Sequence, residues 1–306
     1  MEKPLHRRRN PFRETLVSGH FAVTAELTPP HSASLDSLTI AVNALKPAVT
    51  AINLTDGAGA RIRMSSMAAA IHVKQMGAEP IMQVTCRDRN RIALQSDLLG
   101  AAAFGIRNVL VLKGDAVEAG DNFDAKPVFD LDSRQLIAAL KDMSEKPATL
   151  ASGESISAPE FFRGAADTPL EVADDWTPDG LQAKLDAGAQ FIQTQFCFDM
   201  ALLERYMLRL NDHGLAEKMY FLVGLGPLRS AKGAYWMRDN LFGTVMPDGV
   251  IRRMEAARDP RQEGISICAE LLQQARDIKG IAGAHLMAPG LHQEIVEAVK
   301  LAGIIP

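Results

Sequence analysis

Cysteine is scarce. The 306 residues hold three, Cys86, Cys197 and Cys268, scattered and without paired spacing. That excludes a disulfide framework and a thiolate zinc site, and it fits a reducing cytoplasm, the expected location. Uninterrupted apolar runs long enough to cross a bilayer are missing. The basic opening MEKPLHRRRNPFRETL has no apolar stretch to make it a signal peptide, and its Arg7-Arg8-Arg9 cluster reads as solvated. Charge of one sign is lacking too: 33 Lys and Arg stand against 37 Asp and Glu, a net charge of −4, which gives no reason to expect nucleic acid or a membrane as partner. Dinucleotide-fold glycine signatures are also absent. Gly57-Ala-Gly59 would need a third glycine where Ile62 stands, and Gly224-Leu-Gly226 one where Arg229 stands. A Gly-Lys-Ser/Thr phosphate loop does not occur either.

What is present is a regular alternation. Hydrophobic residues make up 47% of the chain, enough for one large core. Short strand-like runs occur at Phe21–Glu26, Ala51–Thr55, Ile81–Thr85, Asn108–Lys113, Phe161–Ala166, Gln190–Gln195, Tyr220–Gly224 and Gly283–Ala288. Most successive ends lie about thirty residues apart, one βα unit with its loops. The two long intervals predict insertions before the fifth and eighth strands. Asp132 and Asp199 each stand before a helical stripe as N-caps, and Gly214 and Gly280 follow such stripes as terminators. Eight strand–helix units imply parallel pairing and closure. The expected fold is an α/β single-domain (βα)8 TIM barrel over residues 21–306, behind an N-terminal arm, 1–20. A doubly wound open sheet is the alternative, weakened by the missing glycine fingerprint.

In such barrels the site lies at the carboxyl ends of the strands. Those positions hold Glu26, Thr55 with Asp56, Thr85 with Arg87 and Asp88, Lys113 with Asp115, Asp167 and Gln195, whereas strand interiors read as mostly apolar. Glu26 ends an apolar strand just before Pro29-Pro30. A carboxylate there loses hydration, which favours its protonated form and suits a general acid; the competing expectation is an ion pair with Arg61 or Arg63. Asp115 in Lys113-Gly-Asp is either a ligand contact or a plain turn. The loop Thr55-Asp-Gly-Ala-Gly-Ala-Arg61, rich in small residues, resembles an anion-binding loop, and the helix starting near Ser65-Ser66 would add its N-terminus. The stretch from Asp115 to Asp130 reads as a lid. Cys86, Cys197 and His285 read as core residues.

The ordered motifs Ala25-Glu-Leu-Thr-Pro-Pro30, Asn53-Leu-Thr-Asp-Gly-Ala-Gly59, Gln83-Val-Thr-Cys86, Gly105-Ile-Arg-Asn-Val-Leu-Val-Leu-Lys-Gly-Asp115, Asp186-Ala-Gly-Ala189 and Phe191-Ile-Gln-Thr-Gln-Phe-Cys-Phe-Asp199 resemble the methylenetetrahydrofolate reductase family. The resemblance implies a barrel that binds FAD without a Rossmann fold and moves a hydride between flavin and the one-carbon bridge of a tetrahydrofolate. It further implies that Glu26, Asp115 and Gln195 are catalytic and touch the folate with Leu228. By the same resemblance, Thr55, Gln83, Lys113, Gly114, Asp115, Asp130, Ala166 and Lys184 contact FAD. Family members draw on NAD(P)H or an electron-transfer protein, and homo-oligomers are expected. Several positions depart from the family pattern. Gln83 stands for a common His, Lys113 for Arg, and Met237 for an aromatic that stacks on nicotinamide dinucleotide and folate. Ala288-Pro-Gly290 lacks the usual Arg for the folate tail. These departures weigh against direct NAD(P)H use. Two other functions fit a folate-binding barrel: a flavin-free folate-dependent methyltransferase and a non-catalytic folate-binding subunit.

Overall fold

The computed structural model describes residues 9–145, 148–149, 154–156, 160–173 and 175–304. Ten strands occur in chain order: β1 (Ala22–Leu27), β2 (Ala51–Leu54), β3 (Pro80–Thr85), β4 (Asn108–Leu112), β5 (Ala148–Thr149), β6 (Ser155–Ile156), β7 (Phe162–Asp167), β8 (Phe191–Phe196), β9 (Tyr220–Leu225) and β10 (Ile281–Leu286). Eight of them close into a parallel barrel in the order β1-β10-β9-β8-β7-β4-β3-β2, while β5 and β6 form a separate antiparallel ribbon. The chain is a (βα)8 barrel, as its spacing predicts. Each barrel strand lies within two residues of its expected bounds. The largest offset is in β10, which starts directly after Gly280 (φ +95°). The small residues Ala282 and Gly283 left that start ambiguous in the sequence.

Outside the barrel run α2 (Asp36–Leu45), α3 (Ser66–Gln75), α4 (Arg91–Ala103), α5 (Ser133–Glu145), α6 (Asp179–Ala187), α7 (Met200–Asp212), α10 (Pro260–Asp277) and α11 (His292–Leu301). The predicted caps are in place: Asp132 Oδ1 accepts from Gln135 N (2.8 Å) and Asp199 Oδ1 from Leu202 N (2.9 Å), each satisfying a free amide of the first turn. The insertion before β7 carries the β5–β6 ribbon. The insertion before β10 adds two helices, α8 (Ala231–Asn240) and α9 (Asp248–Ala256). Among the described residues no helix is long and apolar enough to cross a membrane.

Side chains alternate across each strand, so the barrel wall separates two cores. Outward residues such as Val23, Ile52, Val84, Val109, Ile192 and Val223 pack against the helices in the larger one. Inward residues near the strand starts, Ala22, Ala51, Ile81, Leu110, Phe162, Phe191 and Leu222, form the smaller. A helix from the stretch expected as an arm completes this floor. In α1 (Pro11–Val17), Phe12 and Leu16 point into the barrel. The Phe12 ring meets Phe162 at 5.7 Å and Phe191 at 5.2 Å, both edge-on, favourable aromatic geometries. Below it, Asn10 Nδ2 donates to Asn108 Oδ1 (2.7 Å), and Asn108 Nδ2 donates to Glu79 Oε1 (2.8 Å). The barrel is therefore plugged at its amino end by its own N-terminal segment.

Candidate active site

Above the floor the interior turns polar, which corrects the expectation of mostly apolar strand interiors. Thr24, Asn53, Gln83, Gln193 and His285 are all buried and come from β1, β2, β3, β8 and β10. Four of them, Thr24, Asn53, Gln193 and His285, bond to one another across the barrel. Thr24 Oγ1 lies 2.9 Å from His285 Nδ1, Asn53 Nδ2 donates to Gln193 Oε1 (2.9 Å), and Gln193 Nε2 donates to Thr24 Oγ1 (3.3 Å). Buried amides and imidazoles need such partners. This layer carries Glu26 on its upper side, where Oε2 accepts from Gln83 Nε2 (3.3 Å) and lies 3.7 Å from His285 Nε2. The alternative pairing of Glu26 with Arg61 or Arg63 does not occur: Arg63 donates to Pro29 O (3.2 Å), and the contacts of Glu26 are with Gln83 and His285. His285 is a satisfied core residue, as read, but it also reaches the carboxylate. The sequence held a signal for this layer in the i, i+2 spacing of Thr24 with Glu26, Asn53 with Thr55, and Gln193 with Gln195.

Two buried polar atoms of this region have no partner among the described residues, Asn53 Oδ1 and Thr55 Oγ1. An unpaired buried acceptor or hydroxyl is costly, and each has capacity for a further hydrogen bond. The loop after Thr55 has left-handed backbone at Gly57 (φ +57°), Gly59 (φ +66°) and Ala60 (φ +54°), and it closes on itself through Ala60 N, which donates to Gly57 O (2.9 Å). Asp115 Oδ2 accepts from Gly59 N (2.7 Å) and so ties the β4 loop to the β2 loop. Gly114 (φ +95°) sits against Thr85 and Arg87, where a Cβ would come within 3.0 Å of Arg87 Cβ. Arg87 joins the three loops after β2, β3 and β4. Its buried guanidinium donates to Gly57 O (3.1 Å), Asp115 O (3.3 Å) and Asp88. Asp56 accepts from Thr85 N (2.8 Å) and from Arg89, so it is a structural pin.

The other expected site residues are placed as follows. Gln83 is buried under Glu26, and Lys113 is exposed beside Gly114. Lys184 Nζ donates to Ala166 O (2.7 Å) and lies 4.0 Å from Asp167 Oδ1. Burial pushes the Asp167 carboxyl above its ordinary range, against the opposing hydrogen bond from Tyr206 and the charge of Lys184. Gln195 stands at the end of β8 with both amide ends engaged: Nε2 donates to Phe242 O (3.1 Å), and Oε1 accepts from Phe196 N (2.9 Å). Asp130 is held by Arg91 through three contacts of 2.9 Å, and that side chain lowers its carboxyl to about 2. Leu228 is buried in the outer core against α10, where Gly264 makes room for its backbone. Glu26, Thr55, Gln83, Lys113, Gly114 and Asp115 thus gather on the β1–β4 side of the mouth. Ala166, Lys184 and Gln195 sit on the β7–β8 side, and Asp130 and Leu228 are taken up by other parts of the chain. The cysteines are poor nucleophiles: burial raises Cys86 to about 11 and Cys197 to about 12. Among the described residues no group of His, Cys, Asp and Glu is arranged to hold a metal ion.

Comparison with known proteins follows the same lines. The family model for methylenetetrahydrofolate reductase matches residues 11–303. A 5,10-methylenetetrahydrofolate reductase of Pectobacterium carotovorum subsp. carotovorum is 28% identical over 65% of this chain and 61% of its own. The probable methylenetetrahydrofolate reductase (NADPH) of Caenorhabditis elegans is 22% identical over 80% of this chain and 35% of its own. The chain therefore spans less than two thirds of the length of these relatives. Among solved structures, an uncharacterized protein from Clostridium thermocellum that binds two copies of 5-methyl-5,6,7,8-tetrahydrofolic acid has the same fold, with a TM-score of 0.63 at 12% identity, covering 95% of this chain and 97% of its own.

Proposed function

The chain belongs to the methylenetetrahydrofolate reductase family, and we propose from this premise that it binds FAD and a tetrahydrofolate at the barrel mouth and interconverts 5,10-methylenetetrahydrofolate and 5-methyltetrahydrofolate. The observation that supports the reading is Glu26, a carboxylate resting on a buried polar layer at the barrel mouth, to which the resemblance assigns the catalytic glutamate's role. FAD suits the residues present. The unpartnered Thr55 hydroxyl and the exposed Lys113 ammonium offer a donor to a ring edge and a cation to a pyrophosphate. When bound, FAD would supply the acceptor or donor for the hydride of the one-carbon unit.

The protein's part is then proton handling and electrostatics. Glu26 Oε2 gives a proton to the bridging folate nitrogen in the reducing direction and takes it back in the other. Gln83 holds the carboxylate in place through its amide hydrogen bond. The negative charge of Asp115, fixed by Gly59 N–H, favours the cationic form of the one-carbon unit. Gln195 would position the folate from β8. The electron donor or acceptor, NAD(P)H or an electron-transfer protein, belongs to the same proposal.

The test is spectroscopic. Purified protein loaded with FAD should show flavin absorption, and anaerobic 5-methyltetrahydrofolate should bleach it. A protein that takes up no FAD defeats the flavin reading. Folate binding without FAD would put the flavin-free methyltransferase or the non-catalytic subunit in its place.

A further inference from the structure

The insertion between β9 and β10 does more than lengthen a connection. After α8 it turns back over the end of β8. Val245 N donates to Phe196 O (3.0 Å) and Phe198 N to Val245 O (2.8 Å), so Val245 pairs with Cys197 as a single parallel bridge. Three residues earlier, Phe242 O accepts from Gln195 Nε2 (3.1 Å). Between them Gly243 adopts φ +76° and lies so near the β7 loop that a Cβ would stand 2.5 Å from Thr168 Cγ2. The segment is thus pinned to the ends of both β7 and β8. Within it, Phe242 is 90% exposed, the highest value among the large hydrophobic residues described. The backbone holds it out in water beside Gln195, which is unfavourable for an apolar ring unless something covers it.

We propose that Phe242 is a substrate-binding residue, whose ring covers the flat face of the folate's pterin from the β7–β8 side of the mouth. The inference rests on the folate reading above. A planar ligand suits the phenyl ring, which supplies a face for stacking, and Gln195, engaged at both amide ends, holds the loop that carries it. The contact also gives the insertion a task that its distance from Glu26 along the chain conceals. The aromatic arrives from a loop that the strand-end rule does not reach, since Phe242 lies beyond α8 rather than directly after β9.

The test compares Phe242→Ala and Phe242→Tyr in the full chain with FAD, with Trp236→Ala, another exposed aromatic, as control. Calorimetric titration with 5-methyltetrahydrofolate gives the dissociation constant, and flavin absorbance gives FAD retention. Loss of a stacked ring should raise the folate dissociation constant about tenfold in Phe242→Ala, equivalent to about 1.4 kcal/mol. Phe242→Tyr and Trp236→Ala should stay within about threefold of the parent by the same measure, and FAD should remain bound throughout. A folate constant unchanged in Phe242→Ala overturns the proposal while leaving the reductase reading intact. So does a parallel loss of FAD and folate, which would mean that the loop has collapsed. A parent protein that binds no 5-methyltetrahydrofolate overturns both.

Discussion

Replacing Gly164 by alanine should unsettle the barrel floor without touching the mouth. Gly164 lies inside the barrel on β7, and a Cβ there would stand 2.2 Å from Phe191 Cζ and 2.4 Å from Phe191 Cε2. Carbon atoms in contact prefer about 3.5 Å or more, so the ring would have to retreat by about 1.3 Å. It has little room. Phe191 is fully buried, stacked on Phe162 at 5.0 Å and met edge-on by Phe12 at 5.2 Å. Forced overpacking of this kind costs about 1–3 kcal/mol. For a chain of this size each kcal/mol lowers the melting temperature by about 2 °C, so thermal unfolding should come about 2–6 °C earlier. Phe191→Leu alone opens a cavity and also destabilises. In the double variant the two faults offset, and the cycle should show a coupling of about 0.5–3 kcal/mol. Thermal melts followed by circular dichroism on the four proteins decide the matter. A Gly164→Ala protein that melts with the parent, or a strictly additive cycle, refutes the packing argument.

Two other predictions concern the mouth. Glu26→Gln should leave FAD bound while turnover with folate falls by about 10²–10⁴, the usual worth of a general acid; stopped-flow reduction by 5-methyltetrahydrofolate measures it, and unchanged turnover removes the acid role. Asp167→Asn should raise the melting temperature relative to the parent near pH 8 but not near pH 4. Burial raises this carboxyl in the folded state, so the folded protein binds the proton more tightly than the unfolded chain. The stability linked to that proton is complete below the ordinary carboxylate value of about 3.9 and is lost as pH rises through the folded one. A gap between variant and parent that does not change with pH would contradict the assignment.

Much of the fold was legible because a parallel barrel repeats one physical unit. Runs such as Val109–Leu112 and Phe221–Leu225 are apolar on both faces, and the helical stripes between them carry ordinary caps. The strand-end rule placed Glu26, Thr55, Lys113 and Asp115 at the mouth. Two features escaped it. The α1 plug has only two apolar anchors, Phe12 and Leu16, in a stretch dominated by basic residues, so its seven residues carry too little periodicity to mark a helix. The buried layer of Thr24, Asn53, Gln83, Gln193 and His285 left only a weak trace, the i, i+2 spacing with Glu26, Thr55 and Gln195, because only closure of the barrel sets the five side by side. Asp130 and Leu228 rest on the resemblance alone, since neither stands at a strand end; Arg91 engages the first and the outer core surrounds the second.

The sealed floor has a consequence for how this protein can change. With Phe12, Phe162 and Phe191 filling the amino end, the interior is a blind well, and everything that reaches Glu26 must enter and leave past the loops above. Durability and selectivity therefore reside at opposite ends of the same strands. Rewriting the rim, including the Phe242 segment, could admit a different visitor while the stopper below goes on keeping the vessel whole.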